Sequence, residues 1–281
     1  MYIHDLNPVV LPIWGPLAIR WYGIAYIAGF IISYLILNRW GRRSEYPIKN
    51  EDLQNFMIVI VLGVMLGGRL GYMFFYDFSS FVRNPLVFFK LWEGGMASHG
   101  GMIGITVASW FFAHKHKQAF LSLTDGLVAT GTIGLGLGRL ANFINGELWG
   151  RVTSAPWAVI FPHEAGISPQ DPYLRENVAA ALDQGLLFPR HPSQLYQAAL
   201  EGVLLPLILI PAYKSAWGRA AKGRVSGLYL GLYAIIRFIS EFFREPEIVH
   251  FGWMTQGQLL SLIILLPGSV YLIGRTYLKK A

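Results

Sequence analysis

Apolar residues in this chain come in runs of bilayer length rather than in the short stripes of a soluble amphipathic helix. Seven runs stand out, at about 17–38, 53–76, 96–113, 123–144, 195–213, 225–243 and 257–274. Roughly 20 apolar residues in an α-helix cross a hydrocarbon core about 30 Å thick, so each run predicts a membrane helix. Glycines and polar residues interrupt the third and fourth runs. The first follows "MYIHDLNP", which has no basic stretch, and no small-residue cleavage site follows Leu37. That pattern predicts a retained helix and not a cleaved signal peptide.

Composition agrees with a membrane protein. The 281 residues are 54% hydrophobic and 14% charged, where soluble domains run at roughly 45–50% and 25%. The chain has no cysteine, which excludes disulfides, thiolate metal sites and a cysteine nucleophile. Any thiol chemistry must take its thiol from a substrate. No constellation with metal-ligand spacing is visible, so neither a metal nor a cofactor is expected. A net charge of +7 would suit nucleic acid, but no soluble basic domain holds it, and no nucleic-acid partner is expected.

The placement of that charge predicts topology instead. Arg39, Arg42, Arg43 and Lys49 follow the first run, Lys115 and Lys117 the third, and Lys214, Arg219, Lys222 and Arg224 the fifth; Arg275, Lys279 and Lys280 end the chain. The positive-inside rule puts these stretches in the cytoplasm. The expected architecture is an all-α polytopic membrane protein with seven transmembrane helices, N-terminus outside and C-terminus cytoplasmic. Residues 1–281 form a single integral membrane domain, with an interfacial arm at 78–95 around "NPLVFFKLW" (84–92). A small extracytoplasmic cap is inserted at 145–194, marked by Pro156, Pro162, Pro169, Pro172, Pro189 and Pro192.

With that orientation the intramembrane polar residues converge on the outer leaflet. Arg20, Tyr22 and Tyr26 fall near the outer end of the first helix, Arg69 in the outer half of the second, and His99 near the outer end of the third. Arg139 and Asn142 lie toward the outer end of the fourth, Glu201 a turn or two into the fifth, and Arg237, Glu241 and Arg244 at the outer end of the sixth. A charge at the bilayer centre costs about 2.5–3.5 kcal/mol, so Arg69, Arg139, Arg237 and Glu241 must be paired, solvated in a cavity, or both. Gly63, Gly67 and Gly71, Gly134 and Gly138, and Gly227 and Gly231 recur four apart, as in tight helix-packing seams.

The polar residues also form patterns. Tyr233, Arg237, Glu241 and Arg244 recur at spacings of four, four and three, one polar stripe on an apolar helix. Arg139 and Asn142 share a face in "GRLANFINGELWG", with a salt bridge from Arg139 to Glu147 or Glu241 as the plain structural reading; Asn145 and Gly146 suit a helix C-cap. His99 precedes two glycines that would admit a ligand to the backbone, and Asp125 is an expected N-cap of its own helix. Arginines in a membrane-depth cavity suit an anionic phosphate, gripped bidentately. A phospholipid head group is the ligand most available there.

The motifs "GRLANFINGELWGR", "HGG", "RWYG", "RHPSQLY" and "RFISEFFREP" resemble, in order and spacing, those of the bacterial prolipoprotein diacylglyceryl transferases, from Arg20 to about Gln258. The resemblance implies a multi-pass enzyme of the bacterial inner membrane, its active site facing the outer leaflet. It implies transfer of the sn-1,2-diacylglyceryl group from phosphatidylglycerol to the lipobox cysteine thiol of a preprolipoprotein, the first step of lipoprotein maturation, releasing glycerol 1-phosphate. Phosphatidylglycerol, lipobox preprolipoproteins and bilayer lipids are the expected partners. The expected catalytic residues are His99, Arg139, Arg237 and Glu241, with Arg139 and Arg237 on the phosphodiester. His99 is the base candidate for the thiol, with Glu241 or Glu147 as alternatives. Tyr22, Asn142, Glu147, Tyr233 and Arg244 join Arg139 and Arg237 in binding phosphatidylglycerol, with Arg244 at the entrance. A transporter would distribute charge across the midplane, often in repeated halves, and no repeat is evident here. A lipid-binding scaffold would bind phosphatidylglycerol without releasing glycerol phosphate.

Overall fold

The computed structural model describes residues 1–14, 17–90, 94–246 and 248–278. It is a helical bundle with short strands at one end. In chain order these are β1 (Tyr2–Ile3), β2 (Val9–Trp14), β3 (Leu17–Arg20), α1 (Trp21–Arg42), α2 (Asn50–Phe75), α3 (Phe78–Arg83), α4 (Ser98–Lys115) and α5 (Phe120–Ile144). Then follow β4 (Val159–Ile160), α6 (Leu174–Asp183), α7 (Ser193–Lys214), α8 (Arg224–Ser240), β5 (Val249–His250), β6 (Met254–Thr255) and α9 (Gln256–Leu278).

Helices α1, α2, α5, α7 and α9 are long and apolar enough to cross a membrane. The other two predicted spans are helical but shorter or more polar: α8 has 17 residues, and α4 carries His99, His114 and Lys115 within its 18. The first helix starts at Trp21 rather than near residue 17, because Leu17–Arg20 pairs antiparallel with Val9–Trp14 as a hairpin. Lys279 and Lys280 of the basic tail, and residues 91–93 of the arm, lie outside the described residues.

The bundle inverts the soluble pattern. On α1, Ile24, Ile27, Ile31 and Leu35 are exposed along one face, while Gly29, Ser33, Leu37, Trp40 and Gly41 are buried. Lipid tails are as apolar as Leu, so small residues and interhelical hydrogen bonds carry the packing. A Cβ on Gly29 would lie 2.8 Å from Gly134 Cα, and Ser33 Oγ meets Thr130 Oγ1 at 2.6 Å. Between α2 and α4 the seam is denser: Gly63, Gly67 and Gly71 press on Gly104 and Gly100. Gly100 is therefore used against a helix and not against a ligand. Of the other spaced glycines, Gly227 and Gly231 face Ile273 and Ser269 of α9, whereas Gly138 has no such neighbour within 4 Å.

Asp125 caps a different helix from the one expected. Residue Ala119, not Asp125, is the N-cap of α5; the buried Asp125 carboxylate accepts from Gly223 N and Ser226 N at 2.7 Å each, at the start of α8. Large side chains such as Leu37, Trp40, Phe56, Phe112, Leu123 and Leu205 make the apolar core. Trp40 stacks on Tyr213 with ring centroids 4.6 Å apart.

Residues beyond the opposite end of the bundle have a small core of their own. Ile160, Val178, Ala181 and Leu187 pack together with Ile3 against them, and β1 runs parallel to β4. Arg190 binds both carboxylate oxygens of Glu164, Glu245 at 2.9 Å and the Gly150 carbonyl at 3.1 Å. Those partners lie in three separate stretches of chain. Arg190→Ala is expected to loosen 150–164 and 245 together, read as faster amide exchange there with the bundle helices unchanged.

Candidate active site at one end of the bundle

The site grows from the end of α5. There Gly146, at φ 65°, lets the chain turn back. Gly146 N–H donates to the Phe143 carbonyl (2.9 Å) and Glu147 N–H to the Asn142 carbonyl (3.1 Å). This is the paired bonding of a Schellman motif, which satisfies helix-end carbonyls through a left-handed residue. The expected C-cap is therefore present, and it does more than end the helix. It folds Glu147 back so that its Oε1 accepts from Asn142 Nδ2 at 2.7 Å. The start of α7 holds the turn from the other side, with Gln194 Nε2 donating to the Glu147 carbonyl (2.6 Å) and Ser193 Oγ to that of Leu148 (3.0 Å).

One turn before Asn142, Arg139 binds Glu201 bidentately, Nε to Oε2 at 2.9 Å and Nη2 to Oε1 at 3.3 Å. Neither Glu147 nor Glu241, the partners expected from sequence, takes that place. Glu201 is 0% exposed and the Arg139 side chain 18%. Glu201 lies on a π-helical turn, Leu200–Leu204, inside α7. The wider turn re-aims a side chain relative to a regular helix, and the close meeting of Gly202 with Gly136 of α5 brings the carboxylate within reach. Tyr22, Tyr26, Tyr229 and Tyr233 surround this pair closely enough to feel its charges.

Tyr233 also feels Arg237, which joins the second half of the site. Arg237 Nη2 lies 2.6 Å from Glu241 Oε1, and Arg244 Nη1 approaches the same oxygen at 3.9 Å. Gly257 of α9 makes room, since a Cβ there would stand 2.7 Å from Glu241 Oε1 and 3.0 Å from Arg237 Nε. Arg237 Nη1, Gln194 Oε1 and Asn145 Oδ1 are buried with no hydrogen-bond partner among the described residues. The polar stripe outruns its helix: α8 ends at Ser240, and Arg244 stands in a bridge with Gly150. The backbone past α8 joins the chain leaving the signature turn, so Arg244 is placed by pairing and not by helical spacing.

Not every predicted residue joins this network. His99 sits exposed on the first turn of α4, at the same end of the bundle, and makes no hydrogen bond among the described residues. Arg69 is 2% exposed and is consumed structurally: it donates to the carbonyls of Val87 (2.6 Å), Phe88 (3.0 Å), Lys90 (3.1 Å), Gly94 and Gly95 (3.1 Å). Arg69→Met is expected to free the stretch 78–90, seen as new protease sensitivity there without loss of the Arg139–Glu201 pair.

Sequence reasoning placed Glu201 at this depth but gave it no role. The available signal was its isolation, because a carboxylate alone in an apolar run must find a cation. Gln194 and Tyr26 were also missed as members of the site. No group of three or more His, Asp or Glu side chains among the described residues is arranged to hold a metal.

Membrane-length helices and a cluster of guanidiniums and carboxylates gathered at one end define a multi-pass membrane protein with a buried, charged site. The chain belongs to the prolipoprotein diacylglyceryl transferase family, whose model matches residues 8–274. It is 45% identical over 270 residues to the phosphatidylglycerol–prolipoprotein diacylglyceryl transferase of Legionella pneumophila (strain Lens), covering 94% of this chain and 95% of that one. It is 41% identical over 279 residues to the protein of the same name from Xanthomonas euvesicatoria pv. vesicatoria (strain 85-10), covering 97% and 92%.

Proposed function

We propose that this protein transfers the sn-1,2-diacylglyceryl group of phosphatidylglycerol to the lipobox cysteine thiol of a preprolipoprotein. The thiolate sulfur attacks the sn-3 carbon of the diacylglycerol, the carbon–oxygen bond to phosphate breaks, and glycerol 1-phosphate leaves with the bonding electrons. A thioether forms, and the thiol proton passes to a base. Family membership supports the reaction. Buried Arg237 Nη1, with no acceptor among the described residues, is the observation that carries the phosphate assignment.

In this reading Arg237 donates to the phosphodiester, and Arg139, aligned by Glu201, stabilises charge on the departing phosphate. Tyr22 and Tyr233 bind near the head group, Asn142 and Glu147 position the glycerol hydroxyls, and Arg244 guards the entrance. Glu241 Oε1 is already engaged by Arg237 Nη2 at 2.6 Å, with Arg244 Nη1 at 3.9 Å. Glu147 already accepts from Asn142. His99 is then the remaining base candidate, and a thiol with pKa near 8.5 needs one. Near-normal turnover in His99→Gln would remove that role.

The same reading places seven helices across the bacterial inner membrane, with the N-terminus outside, the C-terminus cytoplasmic and the site facing the outer leaflet. Residues 78–95 lie along the interface, and 145–194 form an extracytoplasmic cap. The basic stretches and the common end shared by the site residues support this orientation.

The test is glycerol phosphate release from phosphatidylglycerol by purified protein in detergent, with lipobox peptides carrying Cys or Ser. Release with the Cys peptide alone, matched by thioether product, is expected. Lipid binding by folded protein with no release from either peptide would favour a scaffold or transporter.

A further inference from the structure

His4 lies far in sequence from the signature turn at 142–147 and packs against it in space. It is 0% exposed, and its Nε2 is 2.6 Å from the carbonyl oxygen of Phe143. That oxygen already accepts the Gly146 N–H of the Schellman turn, so the imidazole is a second donor on the carbonyl that ends α5. A carbonyl cannot donate, so the proton sits on Nε2, and Nδ1 is left buried with no partner among the described residues. The ring stands edge-on to Phe143 at 5.3 Å and packs on Phe161 at 5.4 Å. A Cβ on Gly146 would come within 3.2 Å of its Cε1. Its own backbone is tied down as well, since His4 N–H donates to Ile160 O at 2.9 Å.

We infer that His4 is a positioning residue for the transfer reaction: its ring fixes the last turn of α5, and so the places of Asn142 and Glu147 beside Arg139. The inference rests on the function proposed above. Phe143 is the neighbour of Asn142 in the chain, and the two carbonyls of the turn belong to these two residues. A shift of about 1 Å there moves the Asn142–Glu147 pair, and misplacement on that scale costs roughly a hundredfold in rate.

The ring must be neutral to fit. Burial holds its pKa below the ordinary 6.5; His163, from the turn at 162–165, opposes the proton as well, while the Phe143 carbonyl and Asp5, its chain neighbour, favour it. A group whose pKa is lower folded than unfolded contributes stability that is intact above the unfolded pKa and fades as pH falls below it. The stability that His4 contributes is therefore complete above pH 6.5 and is lost as pH falls through the lowered folded-state value.

The experiment uses the full chain in detergent with phosphatidylglycerol and a lipobox Cys peptide, comparing wild type, His4→Gln and His4→Phe. Gln can present its amide N–H to the Phe143 carbonyl; Phe fills the space without a donor. In His4→Phe, kcat is expected to fall about ten- to a hundredfold, with KM for phosphatidylglycerol within about threefold. His4→Gln is expected to restore kcat to within about threefold of wild type. Gln does not titrate, so the ratio of His4→Gln to wild-type activity is expected to rise as pH drops from about 7.5 to about 5.

Undiminished kcat in His4→Phe, or equal loss in both variants, would overturn the positioning role. If His4→Phe does not fold, His4→Gln decides: a pH-independent ratio to wild type counts against the inference. Wild-type protein that forms no thioether would overturn the proposed function itself, and the inference with it.

Discussion

Arg139→Met is expected to abolish transfer, with kcat down about 10²–10³-fold, the effect of removing one preorganised donor to developing charge. It should also destabilise the protein by about 3–5 kcal/mol, because breaking a buried ion pair leaves one charge uncompensated. Glu201 is the charge left behind, fully buried on its π-helical turn. The two effects separate in the double variant Arg139→Met with Glu201→Gln, which removes both charges. Its thermal midpoint in detergent should recover most of the loss, while glycerol phosphate release stays at background. Recovery of both would make the pair a structural strut, and the phosphate would have to be held by Arg237 alone.

Gly67→Leu is expected to be the most damaging substitution outside the site. A Cβ at Gly67 would stand 2.8 Å from Gly104 Cα, and both atoms belong to helix backbones with no flexible side chain to yield. Overpacking a core costs about 1–3 kcal/mol where side chains can move, and separating α2 from α4 should exceed that range. The consequence reaches function because α2 carries Arg69 and α4 carries His99. Melting temperature and turnover should fall together. Gly131→Ala is the matched control: nothing among the described residues lies within 4 Å of a Cβ there, and a mid-helix Gly→Ala change favours the helix by about 1 kcal/mol. Equal damage in both variants would mean that glycine flexibility, not close packing, is what the bundle requires.

Much of this molecule was legible in the chain because a bilayer imposes one-dimensional rules. The hydrocarbon thickness sets run length, and a helix stands at each of the seven apolar runs, five of them, among the described residues, long and apolar enough to cross a membrane. The cost of intramembrane charge made Arg69, Arg139, Arg237 and Glu241 conspicuous, and Arg237 and Glu241, four apart on the polar stripe, do meet. The C-cap at Asn145 and Gly146 was equally readable, since a Schellman turn depends on local backbone alone. Glycines four apart in α2 announced a seam, although not which helix would fill it.

Pairings between distant segments were not legible. Arg69 and Arg139 look alike in sequence as lone cations in apolar runs. One is spent on five carbonyls of a loop and the other on a carboxylate 62 positions away, and no local pattern separates them. Asp125 has the same ambiguity, since its helix-capping chemistry was evident but the helix it serves was not. His4 carried no signal, because its role exists only once β1 has paired with β4.

The sequence by itself therefore determined the apolar runs that become helices and the closing turn of α5, all matters of period, length and local bonding. Only the tertiary structure decided which carboxylate each arginine meets, which carbonyls Arg69 satisfies and what lies beneath the signature turn. A buried charge or donor accepts any partner that brings the right atoms within about 3 Å. Which one arrives is settled by the packing of whole helices, through contacts such as Gly136 on Gly202 that no single segment encodes.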